Sequence, residues 1–164
     1  MKSVILLRHG KSDWNAPFRS DHERPLALRG IKAAKKMGKY FSKNEKPPEI
    51  LISSTALRTK ETIELVKKSG KWNGHLIYNN AIYGGSPKII LEIIQQINEK
   101  FNSVCLIGHE PNFSSFISKS TNGEFYRFPT ASMAYINFDI RLWKDIRFGN
   151  GALKWLARPK EIDI

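Results

Sequence analysis

Short apolar runs recur along the chain, separated by longer segments in which apolar residues follow a helical period. Each run has the length and composition of a buried or half-buried β-strand. The predicted strands are Val4–Leu7, Ile50–Ile52, Leu76–Tyr78, Val104–Ile107 and Ala134–Phe138, with Leu153–Leu156 as a further one. Strands that alternate with helices along a chain are typical of the α/β class.

Three segments between these runs place apolar or small residues on one helical face. The three sets are Ile31, Ala34, Gly38 and Phe41; Ala56, Thr59, Ile63 and Val66; and Ile90, Ile93, Ile94, Ile97 and Phe101. Ser86 as N-cap and Pro87 at the first helical position introduce the third set. Because parallel strands need crossover connections, we expect a single-domain, three-layer α/β/α fold, in which helices flank a mostly parallel sheet.

Length and composition narrow the class of protein. The 164 residues fit one domain, 1–164, since no repeat, low-complexity tract or linker divides them. The single cysteine, Cys105, lies in a predicted strand and has no partner for an internal disulfide. The first apolar run ends at Arg8, far too early for a signal peptide or a membrane span. We therefore expect a cytoplasmic protein that does not bind membranes.

The chain is strongly basic, with 27 Lys and Arg against 15 Asp and Glu, a formal net charge of +12. This charge favours polyanionic partners: nucleic acid, acidic proteins or phosphorylated groups. We predict no nucleic-acid binding, because the sequence has no RNP-like aromatic motif, zinc finger or basic helix. A basic rim would attract acidic carrier proteins, but solubility explains the lysines of the first helix equally well.

Two predicted strands end in the same way. Val4–Leu7 leads into Arg8-His9-Gly10, and Val104–Ile107 leads into Gly108-His109-Glu110. If the two strands are parallel and close, both imidazoles lie at the sheet edge where ligands of such folds bind. Arg8 and Arg58 would add two guanidinium groups, whose forked geometry suits phosphate oxygens. Taken singly, each histidine could merely satisfy a loop, and Arg58 could be an exposed helical arginine.

Six segments carry a resemblance that covers nearly the whole chain. They are Leu6–Asn15 (LLRHGKSDWN), Asp21–Gly30 (DHERPLALRG), Ser53–Thr62 (SSTALRTKET), Ile82–Ser86 (IYGGS), Ile107–Phe113 (IGHEPNF) and Pro129–Phe138 (PTASMAYINF). The sequence resembles the histidine phosphatase superfamily, whose fold is phosphoglycerate mutase-like, and within it the SixA-type phosphohistidine phosphatases. The Arg-His-Gly triplet alone is a weak signal, whereas the segments in this order are a strong one.

The resemblance implies a role for each matching residue. His9 matches the nucleophile that accepts the phosphoryl group, and His109 matches the second histidine, which donates to a phosphoryl oxygen. Arg8 and Arg58 match the phosphate-clamping arginines, and Asn15 could contact phosphate through its side chain or backbone. The expected ligand is a phosphate or sulfate anion. No metal and no cofactor are expected, since the histidines show no metal-binding spacing.

One departure bears on the substrate. Many superfamily members that cleave alkyl phosphate esters carry a glutamate near the third strand end, whereas residues 79–86 here contain no carboxylate. An alkoxide needs protonation by a general acid, but imidazole is a much weaker base and leaves with little help. We therefore expect hydrolysis of phosphohistidine on a histidine-containing phosphotransfer or signalling protein. The short connections between elements, which leave no room for a lid, also predict an open pocket that suits a protein substrate.

The competing explanation is a general acid supplied from another position. Such an acid would make the protein a broad or small-molecule phosphomonoesterase of the same superfamily. The carboxylates and histidine that lie near the two predicted histidine loops are Asp13, Asp21, His22, Glu23 and Glu110. Each also has an ordinary explanation as a solvated loop charge or a helix cap.

Overall fold

Six strands form one sheet in the order β3-β2-β4-β1-β5-β6 in the computed structural model, which describes residues 1–163. The strands are β1 (Lys2–Arg8), β2 (Ile50–Ser53), β3 (His75–Tyr78), β4 (Ser103–Gly108), β5 (Met133–Phe138) and β6 (Gly151–Ala157). The helices are α1 (Leu28–Asn44), α2 (Leu57–Gly70), α3 (Pro87–Gln95) and α4 (Asn112–Ser120). β1 to β4 pair in parallel, whereas β5 and β6 are antiparallel additions at one side. The predicted mostly parallel α/β fold is confirmed.

Helices cover both faces of the sheet, which explains why the central strands are apolar throughout. On one face, Met37 and Phe41 of α1 and Ile63 of α2 form a core with Ile5 of β1 and Cys105 of β4. On the other face, residues of α3 and α4 form the second core with the intervening strand residues; these are Ile90, Ile94, Phe113, Phe116, Val4 and Leu106. The three predicted layers are therefore present.

The third predicted helix is shorter in the structure than its apolar spacing indicated. The third apolar stripe was expected to reach Phe101, but α3 ends at Gln95. The side chain of Asn98 accepts a hydrogen bond from the backbone of Lys100 at 2.9 Å, and this turn replaces the helix. Ile97 and Phe101 still pack on the same core as Ile90 and Ile94 of α3. Their spacing therefore indicated burial correctly but secondary structure incorrectly.

Helix α4 was missed altogether. Its buried positions Phe113, Phe116, Ile117 and Ser120 follow a helical period that the sequence analysis did not use. The helix covers the sheet face next to β4, immediately after His109.

The strand order places the ends of β1, β4 and β2 side by side. β4 lies between the other two and is parallel to both, so the three carboxyl ends share one edge of the sheet. Within residues 1–163, no helix has the length and apolar character needed to cross a membrane.

Candidate active site

His9 and His109 meet at the carboxyl edge of the sheet. Arg8, the last residue of β1, pairs with Gly108, the last residue of β4, so the two following histidines stand side by side. Their ring centroids are 5.3 Å apart, with an angle of 52° between the ring planes. Both side chains are largely buried, with His9 7% and His109 8% exposed. The predicted convergence of two strand ends is what the structure shows.

The backbone fixes His9 on both sides. Its N–H donates to the carbonyl of Gly108 at 3.1 Å, and its carbonyl accepts from the N–H of Ala131 at 2.9 Å. The next N–H, that of Gly10, donates to the Thr62 hydroxyl of α2 at 3.0 Å. These bonds attach the loop after β1 to three separate elements, which restricts the positions that the imidazole can take.

The hydrogen bond of the His9 ring assigns its tautomer. Nδ1 lies 2.7 Å from the carbonyl oxygen of Gly10. A carbonyl only accepts, so Nδ1 carries the proton and Nε2 is the nitrogen with the free lone pair. Gly10 itself must be glycine, because a Cβ there would lie 2.7 Å from the carbonyl oxygen of Gly30 in α1. This close approach of two backbones explains the glycine of the Arg-His-Gly triplet.

Arg58 enters the site from the first turn of α2 and is 6% exposed. Its Nη1 donates to the backbone carbonyl of Asp21 at 2.8 Å, and its Nη2 donates to Asp21 Oδ2 at 3.1 Å. Arg8 is held by one bond, from Nη1 to the carbonyl of Phe128 at 3.1 Å. The Nε groups of both arginines are buried and have no hydrogen-bond partner within residues 1–163.

Asp21 is one of the site residues whose role the sequence analysis missed. Besides Arg58, its carboxylate accepts from Arg24 Nη2 at 2.7 Å and from the Tyr83 hydroxyl at 2.7 Å. The hydrogen bonds from Arg24 and Tyr83, together with the Arg58 charge, hold the pKa of Asp21 well below its usual range. Asp21 is therefore an anion that positions Arg58. Arg58 and Tyr83 are distant from Asp21 in the sequence, so spacing alone could not find these two contacts.

His109 is oriented by Ser54, which follows β2. The Ser54 hydroxyl lies 2.8 Å from His109 Nε2 and accepts from the N–H of Ala56 at 3.3 Å. When the hydroxyl donates its proton to His109 Nε2, the imidazole proton lies on Nδ1. Nδ1 is buried and has no partner within residues 1–163. Tyr83 packs edge-on against the same ring, with centroids 5.5 Å apart.

Both imidazoles are neutral over the physiological range. Burial, followed by the nearby positive charges, lowers the pKa of His9 to about 3. Burial and the Arg58 guanidinium lower the pKa of His109 to about 4. In each case the low-polarity surroundings disfavour the charged form of the ring. A neutral His9 keeps its Nε2 lone pair available for attack.

These two pKa values predict an acid-sensitive fold. As the pH falls below about 6.5, histidines of the unfolded chain bind protons while folded His9 and His109 do not, so the free energy of unfolding decreases. Each histidine should contribute a slope of about 1.4 kcal/mol per pH unit, extending to about pH 4 for His109 and about pH 3 for His9. Urea unfolding between pH 7 and pH 5 measures the slope. His9→Asn and His109→Asn should each reduce it, and variants with the wild-type slope would contradict the assignment.

The proposed replacements for the missing glutamate occupy several different environments. Asp21 is ionised, as described, and the hydrogen bond from Arg19 lowers the pKa of the half-buried Glu23. Asp13 accepts from the backbone N–H groups of residues 15 and 16, and Glu110 accepts from that of Ser114. These four carboxylates are engaged in structural contacts.

His22 differs from the four carboxylates. Its ring packs edge-on against Tyr83 at 4.9 Å, and its Nε2 lies 2.7 Å from the hydroxyl of Thr55. Thr55 in turn donates to Asn80 at 2.7 Å. His22 and Asp21 both contact Tyr83, which packs against His109, but Asp21 accepts hydrogen bonds from two arginines and His22 does not.

The structure does not bring Asn15 into this cluster. Asn15 is exposed, and its recorded contact is from its own backbone N–H to Asp13 at 2.8 Å. Its predicted contact with phosphate stays a prediction. Within residues 1–163, no group of three or more His, Cys, Asp and Glu side chains is arranged to hold a metal ion.

The arrangement suits a tetrahedral anion. Arg8 Nε, Arg58 Nε and His109 Nδ1 are buried and have no hydrogen-bond partner in the described chain. These residues are neighbours of His9, and their unpaired nitrogens are groups that a bound anion could pair with. Two guanidinium groups add positive charge, and the Nε2 of His9 supplies a nucleophile.

Comparisons with known proteins agree with this geometry. Residues 4–76 match the family model described as histidine phosphatase superfamily (branch 1), which confirms the resemblance seen in the sequence. An uncharacterised protein of Mycobacterium tuberculosis is 27% identical over 164 residues, covering 94% of this chain and 100% of that protein.

Two solved structures show the same fold. The putative phosphohistidine phosphatase SixA of Nakamurella multipartitia superposes with a TM-score of 0.84 at 21% identity, covering 96% of each chain. The protein histidine phosphatase SixA complexed with tungstate gives a TM-score of 0.81 at 24% identity, covering 96% of this chain and 97% of the other. These likenesses confirm the phosphoglycerate mutase-like fold class.

Proposed function

We infer that this chain is a phosphatase of the histidine phosphatase superfamily, and we propose that it hydrolyses phosphohistidine on proteins through a covalent intermediate on His9. One observation carries the proposal: His9, whose Nε2 is unprotonated, lies beside His109 and close to Arg8 and Arg58, and the Nε groups of both arginines are buried with no acceptor in the described chain. The tungstate bound to a SixA protein of the same fold supports the binding of a tetrahedral oxyanion.

In the first step, His9 Nε2 attacks the phosphorus of the substrate. A bond from phosphorus to Nε2 forms while the bond to the substrate imidazole breaks; the departing nitrogen keeps the electron pair, and a proton on the other nitrogen of that ring makes the leaving group a neutral imidazole. The Gly10 carbonyl, 2.7 Å from Nδ1, stabilises the partial positive charge that His9 acquires. In the second step, water attacks the phosphorus, the bond from phosphorus to Nε2 breaks with its electron pair returning to Nε2, and the hydrogens of the water leave with the inorganic phosphate, so His9 is neutral again.

Charge on the transferring group is stabilised by groups already in place. The loose transition state of phosphoryl transfer spreads negative charge over three equatorial oxygens. Arg8, Arg58 and His109 offer donors to these oxygens, and their fixed positions avoid a reorganisation cost during the reaction.

The leaving group decides the substrate class. Residues 79–86 contain no carboxylate, and the side chains of Asn79 and Asn80 are engaged with Ala81 N–H and with Thr55. Asp21, the acidic side chain that contacts Arg58, is ionised and holds no proton to donate. An imidazole leaving group tolerates this lack of a strong general acid, whereas an alkoxide does not.

We therefore predict a strong preference for phosphohistidine over phosphoserine in otherwise identical peptides. The value of kcat/KM should be larger for phosphohistidine by about 10²–10⁴-fold, the usual contribution of general-acid catalysis. Nitrophenyl phosphate, an ester with a weakly basic leaving group, should lie between the two.

Comparable kcat/KM values for the two peptides would favour the small-molecule phosphomonoesterase with a relocated acid. In that event, His22→Ala is the variant that separates the explanations, because His22 is the unassigned candidate nearest to Tyr83. If His22 donates the proton, its loss should slow the phosphoserine peptide selectively and leave nitrophenyl phosphate unaffected.

A further inference from the structure

A basic cleft opens beside the catalytic centre. It has a volume of about 480 Å³ and is bordered by the loop after β1, the start of α1, the segment before β5 and the chain after β6. Six positively charged side chains line it: Arg8, Lys11, Arg29, Arg127, Arg158 and Lys160. Arg8 belongs to both the cleft and the phosphoryl site, so the two regions are continuous.

The positive charge of the cleft is only partly neutralised. Glu161, its one acidic lining residue, pairs with Arg127 at 2.9 Å and with Arg158 at 3.1 Å. Lys11, Arg29 and Lys160 form no ion pair with residues 1–163. Clustered cations repel one another, so this arrangement lowers the stability of the free protein. An anionic ligand bound in the cleft would relieve that repulsion. The cleft is thus suited to several negative charges.

The character of the cations indicates the kind of ligand. Lys11, Arg29, Arg127 and Lys160 are exposed, on long flexible side chains, unlike the buried and oriented donors around His9. Exposed charges give little affinity for one small anion, but together they steer and orient an extended acidic surface. The lining therefore favours an acidic protein segment over a second small phosphate compound.

We propose that this cleft docks an acidic segment of the phosphohistidine protein while its phosphohistidine occupies the His9 site. The inference rests on the proposed function and specifies its substrate: a carrier whose phosphohistidine is flanked by Asp and Glu. Arg8 marks the junction, with the phosphoryl group on one side and the acidic residues on the other. Docking would supply affinity and orientation, while the chemistry stays with His9.

The test uses two substrates that carry the same phosphoryl group on the same nitrogen. One is a phosphohistidine carrier protein with acidic residues around its phosphohistidine, and the other is free phosphohistidine. In the variant Lys11→Gln/Arg29→Gln/Lys160→Gln, KM for the carrier should rise by about tenfold or more. For free phosphohistidine, kcat/KM should change by no more than about twofold, since exposed charges at a distance are screened.

Two further variants control for charge and folding. Lys39→Gln/Lys43→Gln/Lys46→Gln removes three charges from the second half of α1 and the turn after it. It should leave KM for the carrier near the wild-type value. Lys11→Arg/Arg29→Lys/Lys160→Arg keeps the charge and should retain docking. Raised salt should increase KM for the carrier in the wild-type protein and much less in the cleft variant.

Each failure has its own signature. If KM for the carrier rises no more in the cleft variant than in the α1 control, the docking inference is overturned and the phosphatase activity stands. Equal losses on both substrates would place the cleft in the phosphoryl site and also overturn docking. A wild-type protein that hydrolyses neither substrate removes the proposed function itself, together with this inference.

Discussion

Replacing His9 with alanine is expected to lower kcat for phosphohistidine hydrolysis by about 10⁴-fold or more, the scale of losing a covalent nucleophile. The structure gives the reason, because Nε2 of this ring is the unprotonated nitrogen and the ring lies close to Arg8, Arg58 and His109. The variant should still bind phosphate or tungstate, since those donors remain. Rapid-quench labelling with ³²P-phosphohistidine protein, followed by steady-state kinetics, measures both effects.

The control for this experiment is His75→Ala, which removes an exposed histidine at the start of β3, at the opposite edge of the sheet. It should keep wild-type kcat and wild-type labelling. Label that persists in His9→Ala would refute the assignment of the nucleophile. Thermal unfolding of both variants checks that the fold is intact.

Replacing Arg58 with alanine is expected to lower kcat/KM by about 10³-fold, within the range observed when a phosphate-stabilising arginine is removed. Two effects act in the same direction. The guanidinium that we propose binds the phosphoryl oxygens is lost. The carboxylate of Asp21, 3.1 Å from Arg58 Nη2, also loses one of its cationic partners and would repel an anionic substrate more strongly. Arg58→Lys should recover part of the activity, because charge returns without the forked geometry.

Substitution of Asp21 is expected to change kcat/KM in opposite directions in the wild-type and Arg58→Ala backgrounds. In the wild-type background, Asp21→Asn should lower kcat/KM, because Arg58 loses the partner that orients it. In the Arg58→Ala background, the same substitution should raise kcat/KM, because a negative charge that repels the substrate is removed. A decrease in both backgrounds would show that Asp21 acts independently of Arg58.

Much of the fold could be predicted because strands that are buried on both faces of the sheet are continuous apolar runs in the sequence. The apolar runs at Val4–Leu7 and Val104–Ile107 coincide with the central strands β1 and β4. The end of α3 could not be predicted, since Ile97 and Phe101 continue the apolar spacing after the helix has given way to a turn. Helix α4 could have been predicted, because Phe113, Phe116 and Ile117 have the spacing of one helical face.

The same reasoning explains what could be predicted of the site. His9 and His109 each follow a strand directly, so strand adjacency alone brings them together. Asp21, Ser54 and Tyr83 could not be assigned this way, because their contacts depend on how loops fold over the sheet edge. Their side chains are linked to site residues far away in the sequence, and no local pattern records such contacts.

The most direct test of the account identifies the atom that carries the phosphoryl group during turnover. Wild-type protein mixed with excess phosphohistidine substrate is quenched in alkali within milliseconds, and the phosphorylated peptide is examined by ³¹P NMR and tandem mass spectrometry. We predict phosphate on Nε2 of His9, appearing and decaying at rates that match kcat. Phosphate on Nδ1 of His9 or on another residue, or full turnover with no phosphorylated protein at any quench time, would contradict the account.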